Sequence, residues 1–426
     1  MAAPPAAPVA VPVPGAELPA GKTIRWRLLC IGADPAWFES VRMQMSGLQP
    51  DWELARVANS TEAIPLLAGS TFDVLIFEDR ISDVSDLLAT LGKDVNRYIC
   101  LVRCDISDEE AMIQWNSFGV MPVSGGGDAA VLRSELNRTV RVREWTANPA
   151  VRKLLPQIRQ LPAVPRLHAL ITKELESPEG SMQVVARLVA QDPVMSAKIL
   201  QVANSAALGV GHEVTDMAEA VLVLGAERIR SLILLAGVFS QYDRAKCPGF
   251  SPESVWGHSV QAGMYARTIA LKQTGDAKVA EAAFTAGLLH DVGKLILAAN
   301  VPRMYEEVLW TRKRQDCTQG QAERLVLGTT HAELGACLLA SWGLPLPILE
   351  AIAWHDEPEW FPGNGFTLVA AVHVANALIT ESNQRGGSAA QDRICLEYLN
   401  KAGLGDIRNR WRSFCGLPVR PDQAPA

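Results

Sequence analysis

Gly287-Leu288-Leu289-His290-Asp291-Val292-Gly293-Lys294 is the run on which the reading of this chain turns. It is apolar and helix-forming on both sides of an adjacent imidazole and carboxylate. A helix this apolar belongs inside a bundle, where each polar group needs a partner. A neutral imidazole beside a carboxylate offers a divalent cation one nitrogen and one oxygen, the core of a metal-dependent phosphohydrolase centre. The same two groups also suit a buried polar network that does no chemistry.

To either side of this run, helical periodicity extends from Asn148-Pro149 to Glu381 without a convincing strand. Pro162, Pro165, Pro193 and the glycines at 209 and 211 punctuate it. Helices are expected over 254–272, 277–299, 321–342, 346–355 and 366–381, with a short one near 393–402. Before Asn148 the pattern differs. Short apolar runs at 26–31, 72–77, 98–102 and 118–123 alternate with helical stretches near 35–45, 60–68, 83–91, 107–115 and 128–142. That alternation predicts a flavodoxin-like, doubly wound parallel sheet of α/β class followed by an all-α domain. The expected boundaries are an Ala/Pro-rich tail over 1–22, the α/β domain over 23–145, the helical domain over 146–381 and a C-terminal extension over 382–426. A connecting helix over 132–155 would join the two domains.

Composition narrows the function. With 48% hydrophobic and 20% charged residues, a net charge of -6 and a pI near 5.7, the chain reads as globular, and nonspecific attraction to a phosphate backbone is disfavoured. A DNA-binding regulator is disfavoured on the same ground, and no basic recognition helix is evident. The 8 cysteines are scattered without a CxxC pair, as expected of free thiols in a reducing cytoplasm. The first 20 residues lack Lys and Arg and are interrupted by proline, so they read as a tail rather than an export signal. No membrane span is expected.

The segments RLLCIGADPAWFESVRMQM, VANSTEAIPLLAGSTFDVLIFEDR and SFGVMPV resemble the response-regulator receiver family. That resemblance implies an acidic pair holding Mg²⁺, an aspartyl phosphoryl acceptor, a hydroxyl and a Lys before Pro. Carboxylates would hold the hard cation, and cation and Lys would neutralise the transferred phosphoryl group. Here the acidic pair falls at Gly32 and Ala33, with Asp34 nearby. The acceptor position is Glu78, next to a misplaced Asp79, and the Lys position is Met121, before Pro122. The hydroxyl position falls near Arg103 or Cys104. A receiver without its metal pair and Lys is expected not to be phosphorylated, so Glu78 stands as a non-functional equivalent of the acceptor.

The helical part resembles the HDOD family, a regulatory branch of the HD superfamily. The resemblance begins with LLPQIRQLPAVPRLHALITKELESPEGSMQVVARLVAQDPVMSAKILQVANSAALGVGHEVTDMAEAVLVLGAERIRSLILL. It continues through SVWGHSVQAGMYA, AFTAGLLHDVGKLIL, HAELGACLLASWGLPLPILEAIAWHDEP and LVAAVHVANAL, and spans about 153–379. Read from the residues alone, Asp192 before Pro193 is a helix cap, and the Val221–Leu224 run closing on Gly225 is packing. The resemblance implies an HD-type helical domain and maps its metal ligands to His258, His290 and Asp291, with His331 and His355 as an additional pair. The late Asp position is taken by His373, and Asn376 replaces a second acidic position. One carboxylate among so many imidazoles suits a Zn, Fe or Ni type cation rather than Mg²⁺ or Ca²⁺. The alternative is a polar network in which the imidazoles bond Asp291, Glu333 and Ser259. Lys294, one turn after His290, is a candidate phosphate contact, or simply a solvated helix-end charge. His168 and His212 lie outside the HD-like motifs that hold the other histidines, and the Gly-Tyr-Pro signature of cyclic-di-GMP phosphodiesterases does not come after His355.

The expectation is therefore a bacterial, cytoplasmic signal-transduction regulator. A pseudo-receiver would control a largely non-catalytic HDOD domain that binds a signalling protein or a nucleotide, with homodimerisation left open. No catalytic residue and no resident cofactor is assigned. The alternative is a metal-dependent phosphohydrolase of a nucleotide or phosphodiester, in which a cation-activated water attacks phosphorus.

Overall fold

Runs rich in β-branched and aromatic residues pair side by side near the start of the chain in the computed structural model. It describes residues 26–32, 34–45, 52–78, 84–91, 98–104, 121–124, 136–137, 140–142, 144–146, 148–158, 166–177, 180–205, 212–242, 247–340, 342, 344–383 and 393–418. Two units divide the chain, Met1–Arg141 and Val142–Ala426.

In the first unit, β1 (Trp26–Ile31), β2 (Trp52–Val57), β3 (Val74–Glu78), β4 (Ile99–Cys104) and β5 (Met121–Ser124) form a parallel sheet in the order β2-β1-β3-β4-β5. Both faces are covered, as parallel sheets require. Leu29, Ile31, Leu75, Phe77 and Val102 pack with α2 (Ser60–Gly69) and α3 (Val84–Leu91) on one side. Leu28, Cys30, Val74, Ile76 and Leu101 pack with Val41 of α1 (Pro35–Met45), Leu136 and Val140 on the other. The doubly wound α/β architecture is thus the observed one. β2 escapes the sequence reading because Glu53 and Arg56 interrupt its apolar pattern, which a half-exposed edge strand tolerates. The helix expected over 107–115 lies outside the described residues, as does Asp79.

The second unit is helical. Its elements are α4 (Pro149–Leu154), α5 (Arg166–Glu176), α6 (Met182–Ala190), α7 (Pro193–Ala203), α8 (Met217–Leu224), α9 (Ala226–Tyr242), α10 (Pro252–Thr274), α11 (Ala277–Leu289), α12 (Val292–Asn300), α13 (Pro302–Gln315), α14 (Gln319–Leu327), α15 (His331–Ala340), α16 (Leu346–Trp354), α17 (Leu368–Asn383), α18 (Leu396–Lys401) and α19 (Arg408–Phe414). An unbroken connecting helix over 132–155 does not form. Pro149 pushes Asn148 out of helical geometry, and the Asn148 side chain instead accepts the Ala150 N–H as the cap of a new helix.

Two expected helices are each two. The 277–299 stretch breaks at His290-Asp291, and 321–342 breaks at Gly328, whose φ of 76° ends α14. By length and composition Ala277–Asn300 could cross a membrane, but 78% of its apolar window is buried inside the helical unit. The segment expected as a C-terminal extension packs into the same core: Tyr398, Leu399 and Trp411 are buried there, and Arg412 pairs with buried Glu381.

Three glycines set the helix contacts around the break. A Cβ at Gly263 would meet Phe284 O at 3.0 Å, and one at Gly287 would meet Ala262 O at 2.8 Å, so α10 and α11 approach backbone to backbone. A Cβ at Gly293 would lie 2.0 Å from His331 O, so α12 abuts the start of α15. These contacts bring His258, His290 and His331 together.

Candidate metal centre

The break at His290-Asp291 frees Asp291 from capping its own helix. Its carboxylate turns inward instead. Oδ2 accepts from Lys294 Nζ at 2.7 Å and lies 3.7 Å from His258 Nε2. Oδ1 lies 3.3 Å from His290 Nε2, 3.2 Å from His331 Nε2 and 3.6 Å from His355 Nε2. Among the described residues, Oδ1 nonetheless makes no hydrogen bond of good geometry.

The outer ring nitrogens explain the aim of these imidazoles. His290 Nδ1 bonds Gly287 O at 2.6 Å, and His355 Nδ1 bonds Ile352 O at 2.8 Å, each within its own helix turn. His331 Nδ1 bonds Glu323 Oε2 at 2.7 Å. With the Nδ1 proton committed outward, neutral His290 and His355 carry their Nε2 lone pairs toward Asp291, whereas His331, kept protonated by Glu323, must release its Nε2 proton before that nitrogen can ligate. Nε2 of His258 and of His290 stand 3.2 Å apart, and those of His331 and His355 stand 3.3 Å apart. Ring nitrogens gathered around a buried carboxylate oxygen with no hydrogen-bond partner among the described residues form a donor set that could hold a metal cation once it displaces the Nε2 protons of His258 and His331. Two overlapping triads have ligand spacing, His258/His290/Asp291 and Asp291/His331/His355. These residues could hold a divalent metal cation.

His373 does not join them. Its Nδ1 bonds His355 O at 2.7 Å and its Nε2 accepts the Cys395 N–H at 2.8 Å, so one nitrogen ties α17 to the end of α16 and the other ties it to the C-terminal segment. Asn376, one turn on, occupies the place facing the cluster. Its Oδ1 is 2.9 Å from His258 Nε2 and its Nδ2 donates to Asp356 Oδ1 at 3.0 Å.

Two carboxylates go unread in the sequence. Asp356 lies 3.5 Å from His355 Nε2 and 3.8 Å from His331 Nε2. Glu323, fully buried, stands behind His331. The sequence offers Glu333 as an imidazole partner, but Glu333 bonds Arg324 and Thr329 instead. Ser259 Oγ is buried without a hydrogen-bond partner among the described residues. His212 pairs at the surface with Glu219. Lys294 is not a solvated charge, because its amine is largely buried on Asp291.

The electrostatics track the burial. Burial opposes the Asp291 charge, but the imidazoles, His290 foremost, and Lys294 outweigh it and hold the carboxyl well below its usual range. Burial likewise opposes the Lys294 charge, and Asp291 and Asp356 overcome it to raise the amine. Asp356 is held low by His355 and His331 against its own burial. Burial pushes His258, His290 and His355 down, so they are neutral. It would do the same to His331, but the Glu323 carboxylate lifts that imidazole to about 9.

These shifts make the metal-free protein pH-dependent. Below about pH 6.5 the unfolded chain takes up protons that native His258, His290 and His355 refuse, so stability falls by up to about 1.4 kcal/mol per pH unit for each. His331 runs the other way: its contribution is complete below about pH 6.5 and is lost as pH rises through about 9. Urea unfolding of chelated protein should therefore give greatest stability near neutral pH. A steady gain in stability from pH ~7 down to ~5 would contradict these burial effects.

The cluster forms the floor of a cavity of about 980 Å³. His258, Asp291, His355 and Asp356 reach it from below, and Lys294, Arg312 and Arg393 supply cationic walls.

Residues 161–358 match the HDOD domain model. This segment is an HDOD domain. The match includes His258, His290, Asp291, His331, His355 and Asp356 and stops before His373 and Asn376. A solved HDOD domain protein of unknown function from Geobacter sulfurreducens is 26% identical, with a TM-score of 0.50 over 61% of this chain and 87% of that one. The MmoQ response regulator of Methylococcus capsulatus is 25% identical, with a TM-score of 0.32 over 60% of this chain and 98% of that one. An uncharacterized protein of Treponema pallidum is 24% identical over 255 residues, 59% of this chain and 48% of its own length. The chain thus spans about half the length of that curated relative.

The first unit has a different local chemistry at the strand ends. Glu78 Oε2 accepts from the Asp34 amide at 3.4 Å, and a Cβ at Gly32 would lie 2.8 Å from that oxygen and 3.0 Å from the Trp37 ring. Glu78 and Trp37 occupy the room an acidic side chain at position 32 would need. Ala33 lies outside the described residues, and Met121 opens β5 beside Leu101.

Proposed function

We propose that this chain is a bacterial, cytoplasmic signalling regulator. A receiver-like first unit that is not phosphorylated governs an HDOD domain, which binds a phosphorylated ligand of the nucleotide class over a metal-holding floor. The observation that carries this reading is the set of four imidazoles aimed at Asp291 beneath a cavity with Lys294, Arg312 and Arg393 in its walls. Glu78 beside Gly32, in place of an acidic pair and an aspartyl acceptor, supports the non-phosphorylated first unit. Binding is favoured over turnover because Asp291 already carries Lys294 as a counter-ion, and because an amide, Asn376, faces His258 where a further anionic ligand would serve. A divalent metal held by Asp291 with His331 and His355, or with His258 and His290, would act as a Lewis acid toward a phosphoryl oxygen. Lys294 would then balance the remaining negative charge, while the anchored Nδ1 atoms keep the imidazoles oriented.

The second reading is a metal-dependent phosphohydrolase of a nucleotide or phosphodiester, favoured by the two triads sharing Asp291. One experiment separates the two. Protein purified without chelator is analysed for metal, titrated calorimetrically with mono- and cyclic dinucleotides, and assayed for release of product. The expected result is bound transition metal and nucleotide binding without turnover. Turnover that disappears in His290→Ala would install the phosphohydrolase reading. Metal without any nucleotide binding would leave a protein partner as the ligand.

A further inference from the structure

We infer that the centre holds two cations unequally, with the first and tighter one at Asp291, His331 and His355, and Glu323 as the positioning residue that makes it so. This rests on the reading that the cluster holds metal. It adds which half is filled first and which buried side chain outside the ligand set decides that order.

The two halves share Asp291, and each has one imidazole backed by a backbone carbonyl, Gly287 O behind His290 and Ile352 O behind His355, but only one half has an anion behind its other imidazole. On the His331 side, the local fold delivers a buried anion to the back of the ligand. Gly328 ends α14, the chain turns at Thr329-Thr330, and α15 begins at His331 with its first N–H folded back on Glu323 Oε2 at 2.7 Å. The same oxygen takes His331 Nδ1 at 2.7 Å, so one carboxylate atom fixes both backbone and ring. The other oxygen is held by Gln319 Nε2 at 2.7 Å, and Gln319 is itself held by Arg312 at 3.1 Å. Glu323 therefore has no freedom to swing away. Carboxylates behind a ligating imidazole fix its tautomer, increase its donor strength and typically change metal affinity 10- to 100-fold. Asp356, 3.5 and 3.8 Å from the two Nε2 atoms, adds a second negative charge to this half.

The other half lacks each of these. His290 is backed by a neutral carbonyl, Gly287 O, rather than an anion. The amide orientation of Asn376 is set by its Nδ2 donating to Asp356, which leaves Oδ1 facing His258. His258 Nε2 must then be the donor in that bond, so its proton has to move to Nδ1 before Nε2 can ligate. Asp291 Oδ2, the oxygen nearest His258, is the one bound to Lys294. A cation here meets one ready imidazole, one in the wrong tautomer and a carboxylate oxygen already paired.

The test is a Co²⁺ or Zn²⁺ titration of the chelator-stripped full chain against a competing indicator at one fixed alkaline pH. Wild type should show two classes of site, the first tighter. Glu323→Gln, which keeps shape and an acceptor, should weaken the first class about 10- to 100-fold and leave the second unchanged. Asn376→Asp should instead strengthen the second class and leave the first. Circular dichroism and urea midpoints check that each variant is folded, and Asn376→Asp keeps the proposal exposed if Glu323→Gln does not fold. Two equal classes in wild type, or a Glu323→Gln protein with an unchanged first class, would overturn the inference while the metal reading stands. A wild type that binds no metal at all would remove the metal reading itself.

Discussion

Gly293→Ala should destabilise the helical unit by about 3 kcal/mol, toward the upper end of overpacking effects, and should also disturb the metal centre. The added Cβ would sit 2.0 Å from His331 O and 2.7 Å from its carbonyl carbon. Both are backbone atoms, so no rotamer change relieves the clash. α12 must separate from α15, and His331 leads α15. The displacement therefore acts on the ligand whose Nδ1 and amide are tied to Glu323. Urea unfolding should show a lower midpoint at unchanged slope, together with weakened first-equivalent metal binding. Gly257→Ala is the control, since a Cβ there meets nothing within 4 Å and the position lies inside α10. It should be neutral or stabilising by up to about 1 kcal/mol. A Gly293→Ala protein with the wild-type midpoint would mean that α12 and α15 approach less closely than these distances require.

Asp291→Ala should leave no metal bound and cost the metal-free protein about 3–5 kcal/mol, the range for breaking one side of a buried ion pair. The carboxylate is common to both triads, so neither half can ligate without it. It is also the hydrogen-bond partner of Lys294, whose amine would be left buried among imidazoles. Asp291→Asn, which retains shape but not charge, should lose the metal with a smaller stability cost. Elemental analysis and unfolding in chelator read the two effects separately. Retention of a full metal equivalent in Asp291→Ala would place the ligands elsewhere.

Much of the architecture is legible in the residues because local patterning agrees with it. Alternating short apolar runs and helical stretches before Asn148 announce a parallel sheet, whereas the new helix capped at Asn148 goes unread because the segment reads as one continuous helix. The other features that escape have a nonlocal cause. β2 carries charges because it is an edge strand, and 277–299 reads as one helix because the break at His290-Asp291 comes from no proline and is not marked by composition. α13 is hidden by its own surface: Arg312, Lys313 and Arg314 blur a pattern whose buried face is Tyr305, Val308 and Thr311.

Residue types and their order are enough to place the His290-Asp291 pair in an apolar helical setting, and the resemblance to the HD superfamily adds His258, His331, His355 and His373 as its expected companions. Residue types suffice that far because burial of imidazole and carboxylate demands partners wherever the chain folds. Which polar groups meet is a matter of helix packing. Packing turns His373 away to bond Cys395, brings Asn376 to His258, and places Asp356 and Glu323 beside the histidines. The physical cause is the backbone approach at Gly263, Gly287 and Gly293. Helix spacing there is set by atoms a side chain would displace, and that spacing fixes which ring nitrogens face Asp291.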